Sequence, residues 1–136
     1  MRAVEDLNTD VLITVGRDAN PGMLGEPPPH VRVERWVDQA TVLGHTAAVI
    51  CHGGGGSVLG ALAAGAPLVV VPLFAEDQHI NARRIAAVGA GLVVPPDAER
   101  MRSALRSVLA EHSCRATAAS VAGELQQHAG LDDLPW

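Results

Sequence analysis

Among 136 residues there is no lysine, no tyrosine, a single phenylalanine and only two tryptophans and two cysteines. Each shortage removes a class of function. Without lysine there can be no Gly-Lys-Ser/Thr phosphate loop, whose lysine reaches the terminal phosphates of a nucleoside triphosphate. All ten basic residues are arginines, scattered along a chain of net charge −5. No basic stripe, aromatic platform or zinc-ligand spacing is offered to a nucleic acid, so none is expected as a partner. Cys51 and Cys114 form no disulfide framework, and a reducing cytosol fits them. The longest apolar stretch, residues 61–75, is broken by Gly65, Pro67 and Pro72, so no membrane span is expected. No signal peptide is read ahead of the first strand, which makes the cytoplasm the expected location. No acid-x-acid pair follows a strand, so no metal site and no cofactor are expected.

What is present is apolar and regularly punctuated. A hydrophobic fraction of 48% against 18% charged residues describes a globular chain. Its length corresponds to one domain, residues 1–136, with a core of valine, leucine, isoleucine and alanine. Val11–Val15, Val31–Arg35, Ala47–Cys51, Leu68–Val71 and Leu92–Val94 read as strands. Helices are expected over Gln39–Leu43, from Val58 to Ala64, from Gln78 to Val88, over Ala98–Glu111 and over Ala116–His128, the last with Val121 and Leu125 inward. Met1–Asn8 reads as the tail of a helix, Arg17–Pro29 as turns, and Asp132–Trp136 as a tail. Apolar strands alternating with helices predict an α/β fold, a doubly wound parallel sheet with helices on both faces. Ligands of such folds bind outside the carboxyl ends of the strands.

The strongest local signal is His52-Gly53-Gly54-Gly55-Gly56-Ser57. An apolar strand precedes it and an alanine-rich helix follows. Glycines leave the backbone of such a turn unshielded. Ser57 can cap the helix or offer its hydroxyl to a ligand. Free N–H groups and the positive helix end then face one spot, an anion site with His52 beside it. The G-x-G-x-x-G dinucleotide spacing fits in no frame, although Glu76 and Asp77 lie about 20 residues on, where that motif keeps its acid.

Several further segments carry a resemblance. Trp36-Val37-Asp38-Gln39, Leu43-Gly44-His45, Cys51 through Ser57, Gly65-Ala66-Pro67, Pro72 and Asp77-Gln78 with Asn81-Ala82 are similar, in order, to the donor-binding signature of nucleotide-sugar glycosyltransferases. The type resembled is the two-domain, metal-independent GT-B class, especially the actinobacterial enzymes that glycosylate antibiotics and other natural products. The resemblance implies a Rossmann-like fold, the C-terminal half of GT-B. It implies that Trp36 stacks on the nucleobase, a reading favoured over a core anchor at the strand end, although one residue could serve as both. Val37 would meet the base edge through its backbone, and Gln39 would lie near the ribose. His52 with Gly54, Gly55, Gly56 and Ser57 would hold the diphosphate and stabilise it as it leaves. Asp77 and Gln78 would contact the donor sugar, and Asp77 or Glu76 would cap the following helix. Asn81 would support that helix.

The chain departs from the pattern in three places. Asp38 replaces a usual proline, Cys51 replaces a frequent second histidine, and Gly60 stands where UDP-using relatives often carry a glutamate that grips both ribose hydroxyls. A dTDP-sugar is therefore expected to serve at least as well as a UDP-sugar. His45, His79, His112 and His128 read as surface residues.

On this resemblance the chain is a nucleotide-sugar donor-binding domain of an inverting glycosyltransferase acting on a small aglycone. The N-terminal acceptor domain, with its histidine base, is expected to be absent, as from an excised piece, a truncated gene product or a split enzyme, and the chain alone would be inactive. On the same resemblance it is expected to begin after the first strand of the donor half, and an uncovered apolar face would favour self-association. The alternative is a non-catalytic nucleotide-diphosphate-binding subunit that pairs with a separate acceptor chain. An epimerase or hydrolase of the same fold matches the tryptophan loop and Asp77-Gln78 less well.

Overall fold

The computed structural model describes residues 1–128; the tail expected over Asp132–Trp136 lies outside them. Five strands alternate with helices: β1 (Val11–Thr14), β2 (Val31–Glu34), α1 (Gln39–Leu43), β3 (Val49–Cys51), α2 (Gly55–Ala63), β4 (Leu68–Val70), α3 (Glu76–Val88), β5 (Gly91–Val93), α4 (Ala98–Ala110) and α5 (His112–Gln127). A short 3-10 turn, Pro21–Leu24, lies in the segment expected to be turns.

All pairing is parallel, as the apolar strands predict, but it falls into two sheets. β1 pairs with β2, Val11 opposite Val31 and Thr14 opposite Glu34. β4 lies between β3 and β5, with Val49, Leu68 and Gly91 in register. No strand of one sheet pairs with a strand of the other among the described residues.

Burial follows from this arrangement. Leu68, Val69 and Val70 of the central strand are wholly buried, because β4 is covered on both faces. Val69 and Val71 face one core, with Ala104, Leu105 and Val108 of α4, buried Ala3, Val4 and Leu7, and Val11, Ile13, Val31 and Val33 of the two-stranded sheet. Leu68 and Val70 face the opposite core, with Val58 and Ala61 of α2, Ala82 and Ile85 of α3, and Ala118 of α5. One apolar layer thus spans both sheets. With so few aromatics, closeness comes from small residues. A Cβ on Gly65 would sit 3.6 Å from Ala119 Cα of α5, and Ala61 and Ala118 are fully buried.

The structure corrects five local expectations. Met1–Asn8 forms turns rather than a regular helix; its buried residues Ala3, Val4 and Leu7 lie on the core, and His30 Nε2 bonds to Val4 O at 3.0 Å. α5 begins four residues early, at His112, because Cys114, Ala118 and Ala122 form its buried face. Leu125, expected to point inward, is instead exposed. α2 begins at Gly55 with Gly54 as its N-cap and no side-chain cap, which places Ser57 inside the first turn. α3 begins at Glu76 after Ala75 and likewise has no side-chain cap. Glu76 and Asp77 therefore act on the helix dipole from its first turn rather than by capping.

Two glycines test the packing with opposite signs. A Cβ on Gly91 would meet the Leu68 carbonyl oxygen at 2.1 Å, whereas one on Gly123 meets nothing within 4 Å. In urea unfolding, Gly91→Ala should cost at least about 2 kcal/mol through forced backbone shifts. Gly123→Ala, inside α5, should stabilise by about 0.5–1 kcal/mol.

Candidate functional site

The site grows from the exit of β3. Gly53 has φ +96°, and a Cβ there would lie 2.9 Å from Gln78 O and 3.0 Å from Val70 Cγ1. Only glycine combines that backbone conformation with so close an approach to α3. Two side chains of α3 hold the neighbouring loops. Asn81 Nδ2 donates to Gly53 O at 2.9 Å, and Gln78 Oε1 accepts from Leu73 N at 3.0 Å. The turn after β3 and the loop after β4 are fixed by the same helix.

Beyond Gly53 the chain enters α2 directly. The first intrahelical bond runs from Val58 N to Gly54 O at 3.0 Å, so the amides of Gly55, Gly56 and Ser57 precede the ladder. With no side-chain cap, these groups and the positive helix end are available to an anion. Exposed His52 lies over the N-cap: a Cβ on Gly54 would come within 2.7 Å of its Nε2. Imidazole and helix start thus converge. Cys51, just behind, is half-buried. Burial raises its thiol pKa, against a smaller lowering by the Gly53 backbone hydrogen bond, so it stays protonated at neutral pH.

The exit of β2 reaches the same edge. Exposed Gln39 begins α1, and α1 lies along α2: a Cβ on Gly60 would meet Leu43 Cδ1 at 3.2 Å and Gln39 Oε1 at 3.9 Å. Asp38, in place of the family's proline, caps α1, accepting from Ala40 N at 3.2 Å and Thr41 Oγ1 at 2.9 Å. Val37 is half-buried. Trp36 is 55% exposed, which removes the core-anchor reading. Arg17 places its guanidinium 4.5 Å from the indole centroid, a cation–π contact.

The remaining expected residues divide. Asp77 is exposed on the first turn of α3, whereas Gln78 is only 7% exposed. With Oε1 engaged by Leu73, Gln78 keeps Nε2 as its remaining donor group and shapes the loop. Asn81 does more than support its helix, since it ties down Gly53. Sequence reading missed Arg17 altogether; the available signal was its position directly after Gly16 at the exit of β1, on the edge where such folds bind ligands. His45, His79, His112 and His128 are exposed, as expected.

Residues 1–129 match the family model described as erythromycin biosynthesis protein CIII-like, C-terminal domain. The chain belongs to that glycosyltransferase domain family. It is 49% identical over 104 residues to the elloramycin glycosyltransferase ElmGT of Streptomyces olivaceus, covering 76% of this chain and 26% of that protein. Among solved structures it resembles the calicheamicin glycosyltransferase CalG4 (TM-score 0.85, 32% identity) over 93% of this chain and 32% of that one. It also resembles glycosyltransferase VinC, solved in complex with dTDP (TM-score 0.84, 33% identity), over 91% of this chain and 32% of that one. This domain therefore spans about a third or less of the relatives it matches. GT-B architecture, as the resemblance implies, is the fold of these neighbours.

The joint at Gly53 yields a test independent of any ligand. Asn81→Ala removes the bond to Gly53 O and should cost about 1–2 kcal/mol in urea unfolding. Loss of protection at the Gly53–Gly56 amides in hydrogen exchange should accompany it. An unchanged midpoint and unchanged exchange would assign Asn81 no part in holding the turn.

Proposed function

We propose that this chain is the donor-binding domain of an inverting, metal-independent glycosyltransferase that moves a sugar from a dTDP- or UDP-sugar to a small natural-product acceptor. The observation that carries this reading is the uncapped start of α2 with the His52 imidazole laid over it. Family membership and the likeness to a chain solved with dTDP support it.

The proposed chemistry follows from the donor set. In a single displacement the acceptor oxygen attacks the anomeric carbon as its bond to the diphosphate breaks, inverting the centre. Negative charge builds on the departing diphosphate. The amides of Gly55, Gly56 and Ser57, the helix end and an N–H of His52 stabilise that charge without a metal. Trp36 stacks the base, the Val37 backbone meets its edge, Gln39 lies near the ribose, and Asp77 with Gln78 faces the sugar. Gly54 keeps His52 in place, since any larger residue would displace the ring. No cofactor is required.

The acceptor proton needs a base and the aglycone needs a pocket, and both are assigned to an acceptor half outside these 136 residues. On this reading the chain alone gives at most slow donor hydrolysis. The exposed apolar side chains Leu59, Leu73 and Phe74 would belong to a surface covered in the whole enzyme and prone to self-association without it. The cytoplasm is the proposed location; no described helix is long and apolar enough to cross a membrane. The second reading, a non-catalytic subunit paired with a separate acceptor chain, uses the same site. It is favoured if transfer appears only when that second chain is added.

Calorimetry should detect dTDP binding to the folded chain equally with and without a chelator; no heat at millimolar ligand sinks the proposal. His52→Ala should weaken binding by about 1.5–3 kcal/mol, the worth of a charge-assisted hydrogen bond. Gly54→Ala separates site from scaffold. The clash it creates falls on the end of the His52 side chain, so stability should hold while affinity falls comparably. Loss of stability without loss of affinity would contradict the placement of His52.

Donor choice gives a further test. Gly60 offers no carboxylate to a ribose 2′-hydroxyl, so nothing is left unpaired when that hydroxyl is missing. dTDP should bind at least as well as UDP. A tenfold preference for UDP would overturn this assignment.

A further inference from the structure

Among the described residues β2 pairs with β1 alone. Val11 N donates to His30 O at 2.9 Å and Val15 N to Glu34 O at 3.0 Å, so every second residue along β2 turns its backbone groups to β1. The twofold period of a strand turns the N–H and C=O of Val33 the other way. Val31 N also points outward but donates to Pro28 O at 2.9 Å, which closes the free edge at its start. Beside the rest stands an open cleft of about 530 Å³, between Val31–Val33 and the loop of Pro21, Gly25 and Pro27.

A free edge is a template for another strand, and a charge of one sign on it usually keeps copies of a protein apart. This edge carries both signs. Arg32 Nε lies 2.5 Å from Glu34 Oε1, with the two side chains 79% and 35% exposed. Val31 and Val33 lie on the core beneath α4, so alternation places Arg32 and Glu34 together on the opposite face. Consider two copies of β2 set antiparallel about a twofold axis through Val33. Each Val33 then exchanges both backbone hydrogen bonds with its counterpart. Arg32 of each copy stands directly opposite Glu34 of the other. Opposite charges so placed attract and like charges repel. A slip of two residues one way sets Arg32 against Arg32, and the other way Glu34 against Glu34. The charge pattern thus complements itself in one register and rejects the two beside it.

We propose that the β2 edge is a homodimer interface, which joins a second copy of this chain antiparallel about Val33 with reciprocal Arg32–Glu34 pairs. Such a contact uses the same patch on both copies and closes on itself. Antiparallel pairing turns the carboxyl edges of the two copies to opposite ends of the joined sheet, so the candidate sites open away from each other. The surface is distinct from that of Leu59, Leu73 and Phe74. The inference rests on the edge and its charges and not on nucleotide binding, so either can fail without the other.

The test is sedimentation of the full chain over a concentration series, with amide exchange at Val33 read by NMR. The chain should dimerise, and the Val33 amide should gain protection as concentration rises. Arg32→Glu and Glu34→Arg each leave one sign on the edge, and each should raise the dissociation constant at least tenfold with little change in the unfolding midpoint. Mixing the two variants in equal amounts should restore association, because each supplies the charge that the other lacks. The double exchange R32E/E34R is again self-complementary and should dimerise like the original. A monomer at millimolar concentration overturns the proposal. So does a dimer that ignores both single exchanges, which would assign association to another surface, or a mixture that stays monomeric. Should a single variant fail to fold, the Val33 amide decides: exchange that does not slow with concentration overturns the interface.

Discussion

The site depends on one close approach, that of the Gly53 backbone to the start of α3. There is no room for a side chain at that point, so the turn leaving β3 lies directly against Gln78 and Val70. The Asn81 amide bonds the Gly53 carbonyl across the contact. From this joint the direction of α2 is set, and with it the direction in which three free amides point. The same first turns of α3 hold Leu73 through Gln78. A single helix thus aligns two of the loops at the carboxyl edge of the sheet, which is why a polar residue such as Gln78 is buried there. Its burial is tolerable because its carbonyl oxygen is engaged.

The scaffold beneath achieves rigidity without large side chains. β4 is covered on both sides, and α2 meets α5 across Ala61, Gly65, Ala118 and Ala122. Small residues at such a contact allow backbones to come close, so dispersion contacts replace the area an aromatic core would bury. Intolerance of added volume follows, and it is sharpest at Gly91 beneath the Leu68 carbonyl.

Much of this was legible in the sequence for definite reasons. Apolar runs punctuated by glycine and proline marked four of the strands and the alternation of Val31-Arg32-Val33-Glu34 marked β2; strands alternating with helices marked a parallel, doubly wound sheet. The glycine-rich turn, with a histidine before and a helix after, marked the strand-turn-helix joint on which the proposed anion site rests. Helix starts were legible only to within a few residues, because α2 and α3 begin without capping side chains and α5 buries Cys114 and alanines rather than Val121 and Leu125. Long-range pairing was not legible. Nothing near Arg17 in sequence announces that it rests on Trp36, and nothing in Gln78 announces that it holds Leu73. The split of the sheet depends on which edges meet, which the order of strands along the chain leaves open.

The contact between Arg17 and Trp36 has a kinetic consequence. A guanidinium on one face of the indole leaves a single face for a planar ligand. On the proposed reading, the nucleobase is held by a one-sided shelf rather than between two rings, and stacking on one aromatic contributes about 1–3 kcal/mol per base. Grip on the spent nucleotide then rests mainly on the diphosphate end. Dwell time of the product would be governed by charge, and so by ionic strength, more than by the identity of the base. For a transferase of the proposed kind, which discards a nucleotide after every cycle, a shelf open on one side would favour departure along the route by which the donor arrived.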